Sequence, residues 1–144
     1  MRLEWSFEKV PMTANKVGRH WRYRYSEKKS WSEWIFATAG NGPWLYESTE
    51  LEPEPVKLAV TVWRTRLQDP DNAMASLKPL LDALKHRGWL ADDSSEYLEL
   101  TLSEKKCGRE ETRTQVIWEG PEFTARRRAR LRARRRSSGS PHPA

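Results

Sequence analysis

The chain has 144 residues, a mean hydropathy of −0.89 and a formal net charge of +6. That length suits one domain with its own core, and no run approaches the roughly 18 apolar residues of a membrane span. One cysteine, Cys107, leaves no internal disulfide, and His20, His86 and His142 are too scattered for zinc spacing.

The N-terminal "MRLEWSFEKV" alternates polar and apolar residues with period two, which predicts a strand over 2–10 ended by Pro11. It lacks the continuous apolar core of a signal peptide, so a soluble, cytoplasmic protein is expected. Residues 11–25, "PMTANKVGRHWRYRY", read as a loop. Within it Arg19, His20, Trp21, Arg22 and Arg24 interleave cations with rings, a mixture that can grip phosphates and stack bases. The same rings could instead pack the loop onto the core, with the arginines solvated. A helix is predicted over 26–39, with Ser26 as N-cap and Gly40 as stop. Its stripe of Trp31, Trp34, Ile35 and Thr38 suits a core or a dimer surface.

Residues 41–55, rich in Pro and acids, form an exposed connection. "VKLAVTVWRTR", 56–66, is a strand with Val56, Leu58, Val60 and Val62 on one face. Met74, Leu77, Leu80, Leu81 and Leu84 then mark a helix over 72–87, which Pro79 should kink or restart and Gly88 should stop. Residues 89–95 form a loop. Strands are predicted over 96–105 and 112–119, joined by "KCGREE" as an antiparallel hairpin, with Cys107 a bystander beside the turn. The order β, α, β, α, β, β is that of an α/β (α+β) domain with a mixed sheet and two main helices.

The domain spans 1–123, and a low-complexity tail, 124–144, is expected to be disordered. "RRRARLRARRR", 126–136, holds eight of the 26 Lys and Arg; the other 18, set against 20 acids, leave the first 123 residues at −2. The basic character is therefore local to the tail, which suits either phosphate binding or a merely solvated end.

Four acids bracket the second helix. If the strand continues through Pro70, Asp69 and Asp71 point the same way with Cα atoms about 6.5–7 Å apart. Such carboxylates can bracket Mg²⁺, which takes oxygen ligands and often only one or two protein carboxylates. Asp92 and Asp93, in the loop after the helix, could complete the cluster if the chain returns. "DPDN" and "DDSS" are equally good turn and cap chemistry.

"DPDN" at 69–72, "LKPLLDAL" at 77–84, Gly88 and "DDS" at 92–94 occur in an order that resembles the RusA family of Holliday junction resolvases, common in phages and prophages. "VPMTANKVGRHW", 10–21, is similar to that family's Pro–Asn loop, and the likeness runs from residue 3 to about 119. It implies that Asp69, Asp71 and Asp93 are catalytic and metal-binding, with Asp92 in reserve, and that Lys78 is the essential lysine. Lys78 stands seven residues after Asp71 rather than four, as if three residues were inserted. The resemblance further implies a homodimer that cuts four-way DNA junctions by paired nicks with Mg²⁺, for which Mn²⁺ can substitute. The alternatives are a noncatalytic DNA-binding protein on the same scaffold, or a nuclease for flaps or forks.

Overall fold

The computed structural model describes residues 1–14, 16, 21–45 and 54–122. The expectations for Arg19, His20 and the tail at 124–144 lie outside the described residues. Among the described residues, four strands and three helices follow in the order β1 (Arg2–Phe7), α1 (Trp21–Ala39), β2 (Val56–Arg64), α2 (Pro70–Ser76), α3 (Lys78–His86), β3 (Leu98–Lys106) and β4 (Arg113–Glu119), with a 3₁₀ turn at Arg109–Glu111. The sheet runs β1-β4-β2-β3, with β2 parallel to β3 and β4 antiparallel to both β1 and β2. This is the mixed-sheet α+β fold expected. No described helix is long and apolar enough to cross a membrane.

Each strand turns alternate residues inward. Val56, Leu58, Val60 and Val62 of β2, Val116 and Trp118 of β4, and Trp5 and Phe7 of β1 form one continuous core with the helices. From α1 the core takes Trp31 and Ile35, and from the α2–α3 region Leu77, Leu80, Ala83 and Leu84. Each large aliphatic side chain so buried contributes about 1.5–3 kcal/mol. The tryptophans pack edge-on: Trp89 lies 4.7 Å from Trp5 and 5.4 Å from Trp118 between ring centroids. Two of them have their polar edges satisfied inside the core, since Trp118 Nε1 donates to the Trp89 carbonyl and Trp89 Nε1 to the Gly40 carbonyl, whereas Trp31 Nε1 is buried without a hydrogen-bond partner among the described residues.

Three local expectations need correction. Helix α1 begins by Trp21, so Trp21, Arg22, Tyr23 and Arg24 are helical rather than looped, and Ser26 lies inside the helix instead of capping it. Trp31 and Ile35 of the expected stripe are fully buried, whereas Trp34 is half-exposed. The expected helix over 72–87 is two helices. The first stops at Ser76, Leu77 turns the chain, and Pro79 sits in the first turn of α3, where no backbone N–H is needed. The last two strands do not form a hairpin, because β2 lies between them. An alternating pattern specifies which face a residue takes, not which strand is its neighbour. β2 buries its whole inward face and bonds along both edges, so the 3₁₀ turn carries the chain past its end, where Cys107 N–H donates to the Arg64 carbonyl.

Gly88 ends α3 with a positive φ of 80°. A side chain there would strike Leu45, because the 42–45 segment lies directly on the helix end, with Gly42 N–H donating to the Arg87 carbonyl and Trp44 N–H to that of Gly88. Gly88 therefore supplies both the left-handed turn and the space.

Candidate active site

The crossover from β2 to β3 carries all four acids, and the structure treats its two ends differently. Asp69 stands at the N-cap of α2, and its carbonyl accepts from Ala73 N–H. Its side chain makes no cap bond. Asp71 falls in the first turn of α2, where the helix dipole favours a negative charge. Both are exposed, and neither carboxylate has a hydrogen bond or ion pair among the described residues. The two acids thus take helix-start positions without a capping hydrogen bond from the Asp69 side chain.

The segment leading to Asp69 is tied down from below. Gln68 donates its backbone N–H to Glu104 Oε1 at 3.0 Å and its Nε2 to Oε2 at 3.2 Å. Arg64 Nε, at the end of β2, reaches Glu104 Oε2 at 2.7 Å, with both side chains over nine-tenths buried. Burial pushes the Arg64 guanidinium down from its ordinary value, and the charge and hydrogen bond of Glu104 partly restore it. A second ion pair, Lys9 to Glu27 at 2.8 Å, lies close enough for Glu27 to act on Arg64 electrostatically. Arg64 Nη2 and Glu27 Oε2 are buried without a hydrogen-bond partner among the described residues.

Sequence reasoning passed over Arg64, Gln68 and Glu104. The signal was present in the strand phase: Arg64 continues the inward series Val56, Leu58, Val60, Val62, and Glu104 the series Leu98, Leu100, Leu102. A charge on an inward phase demands a partner.

At the other end, Lys78 Nζ lies 2.6 Å from Asp93 Oδ2 and 3.3 Å from Asp82 one turn along α3. The hydrogen bond from Lys78 holds the Asp93 carboxyl below its usual range, and the same bond raises the Lys78 ammonium. Lys78 thus places a hydrogen-bond donor against Asp93. Asp92 acts locally: its Oδ1 accepts from Asp93 N–H at 2.8 Å and from Lys85 Nζ at 3.3 Å. Of the two neighbours, Asp93 is the one turned toward Lys78. Fifteen residues separate Lys78 from Asp93, and the fold closes that gap.

The described residues contain no group of three or more His, Cys, Asp or Glu side chains gathered to hold a metal ion. Asp69, Asp71 and Asp93 thus do not form a ready three-carboxylate cage, and Asp93 spends one oxygen on Lys78. Arg22 and Trp21, expected at a nucleic-acid contact, lie at the start of α1 with the guanidinium 5.7 Å from the ring; Trp21 is 70% exposed. No protein-family model matches the chain, and no curated protein does.

Proposed function

We propose that the chain is a structure-selective DNA endonuclease that resolves four-way junctions by paired nicks. The observation that supports this best is the contact of Lys78 with Asp93, which joins two of the four residues that the resemblance to the RusA family singles out. Asp69 and Asp71, bare at the start of α2, form the complementary acidic end. A phosphodiester is anionic and bare carboxylates repel it, so these two acids suit a site that works with an added cation. We take that cation to be Mg²⁺, with Mn²⁺ as substitute, on the resemblance and on the preference of hard ions for oxygen. Lys78, held protonated, supplies a donor for charge that develops on phosphate oxygens. A homodimer would present two such sites to a junction of matching two-fold symmetry.

A noncatalytic DNA-binding protein is the rival, favoured in that the described residues gather no metal-ligand group. A nuclease for flaps or forks is the nearer variant. The test is a panel of end-labelled substrates (four-way junction, flap, fork and linear duplex) incubated with the purified full chain, with Mg²⁺, Mn²⁺ or EDTA. The expected result is symmetric nicking of the junction alone, abolished by EDTA. Preferred cutting of flaps or forks would replace the junction reading, and binding without cutting under every condition would establish the rival.

A further inference from the structure

The sheet has a second face, turned away from the helices, on which alternate residues of every strand are exposed or half-buried. Pairing register sorts these residues into rows. At the N-terminal end of β2, Arg2, Glu119, Lys57 and Glu99 stand side by side, and their charges alternate along the row. The next two rows, Glu4-Ile117-Ala59-Thr101 and Ser6-Gln115-Thr61-Ser103, carry one charge between them. The last row is Arg113-Trp63-Lys105, at the end of β2 that leads to Gln68 and Asp69.

That last row differs from the first in kind. The Arg113 guanidinium lies 3.9 Å from the Trp63 ring centre, and Lys105 Nζ lies 5.6 Å from it. Two cations thus share one indole, whose negative faces hold them without neutralising them. Arg113 is further held by donating to the Glu111 carbonyl at 3.0 Å. Neither Arg113 nor Lys105 forms an ion pair with a carboxylate among the described residues, and nor do their neighbours Arg66, Lys106 and Arg109. A planar guanidinium fixed on an aromatic ring has little freedom left to lose when it meets a phosphate.

We propose that this end of the open face binds the sugar–phosphate backbone of nucleic acid. Arg113 and Lys105 contact phosphates, Trp63 positions both cations, and the hydroxyls of Thr61 and Ser103 with the Gln115 amide extend the polar track along the sheet. The choice of nucleic acid over other polyanions rests on the endonuclease reading of the neighbouring Asp69 loop. A strand arm lying here would pass the same sheet end from which that loop departs.

The test is fluorescence anisotropy of a labelled four-way junction and a labelled duplex, titrated with full-length protein in EDTA so that no cutting intervenes. The double variant Lys105→Gln/Arg113→Gln removes two exposed cations. It is expected to weaken binding about tenfold and to lower the slope of log affinity against log salt by nearly 2, at about 0.9 per duplex phosphate contact. A control, Arg2→Gln/Lys57→Gln, removes the same charge from the opposite end and should change affinity less than about twofold. Trp63→Phe should retain binding, and Trp63→Leu should follow the double variant. Equal losses from both double variants, or wild-type binding by the Lys105/Arg113 variant, would overturn the proposal, as would wild-type protein that binds no nucleic acid. Binding lost as expected by a protein that never nicks would sink the endonuclease reading and leave this surface standing.

Discussion

The two acidic loops of the crossover look alike in sequence and are unlike in structure. Asp92 and Asp93 are each matched by a lysine of α3, at 3.3 and 2.6 Å. Asp69 and Asp71 have no such partner among the described residues, yet the segment before them is fastened to the buried Arg64–Glu104 pair through Gln68. One loop is neutralised and the other is held in place with its charge left bare. A folding role alone favours the first arrangement. The second keeps exposed negative charge at a fixed place, favoured at Asp71 by the α2 dipole, and suits an incoming cation.

Removing the fastening should have the largest effect. Glu104→Ala leaves Arg64 buried without its counter-charge and Gln68 without its acceptor, and should lower stability by about 3–5 kcal/mol. Urea denaturation measures it, and a loss below about 1 kcal/mol would mean that Glu104 does not anchor this loop. Asp71→Asn comes next and separates function from folding. The residue is exposed, so stability should stay within about 0.5 kcal/mol, while nicking falls further than the about 10–100-fold typical of losing a mere supporting partner.

Lys78→Ala should reduce the nicking rate by about 10²-fold or more, as expected for a lost donor to developing charge. Its stability loss should not exceed about 1 kcal/mol, because the ammonium is largely exposed and its ion pair is screened. An activity loss matched by Asp82→Asn would assign Lys78 to helix pairing instead. Asp92→Asn should cost about 0.2–1 kcal/mol at most and leave nicking unchanged. If Asp92→Asn silences the protein and Asp93→Asn does not, the assignment of the two neighbours is reversed.

The smallest effect is on pH dependence. Asp93 has a depressed folded pKa, so its contribution is present above the ordinary aspartate range and fades as pH falls through the lowered value. Lys78 has a raised one, so its share is complete below the ordinary lysine range and fades as pH rises through the raised value. Lys78→Met should flatten both edges of the stability–pH curve relative to wild type, and identical curves would deny the pair any linkage.

Much of this was legible beforehand, for identifiable reasons. The core strand 56–64 announces itself by period two, and the helix break at Leu77 by Pro79. The position of β4 was not legible, because its inward residues Thr114, Val116 and Trp118 would serve equally well beside β3 or β2. The start of α1 was missed because "WRYRY" reads as a basic–aromatic loop, though arginine and the aromatics all tolerate a helix. Within the site, the family resemblance names both Lys78 and Asp93, and their contact is seen only in the fold. Which acids are bare and which are paired depends on side-chain reach across the crossover, and no spacing rule supplies that.

Whether Asp69, Asp71 and the Lys78–Asp93 pair make one cutting site is decided by single-turnover nicking of a labelled four-way junction in Mg²⁺. Wild type and Asp71→Asn should be compared at concentrations where both are shown to bind. Wild type should make paired nicks, and Asp71→Asn should leave the bound junction intact. Equal nicking by the two proteins, or an intact junction with both, would contradict that assignment.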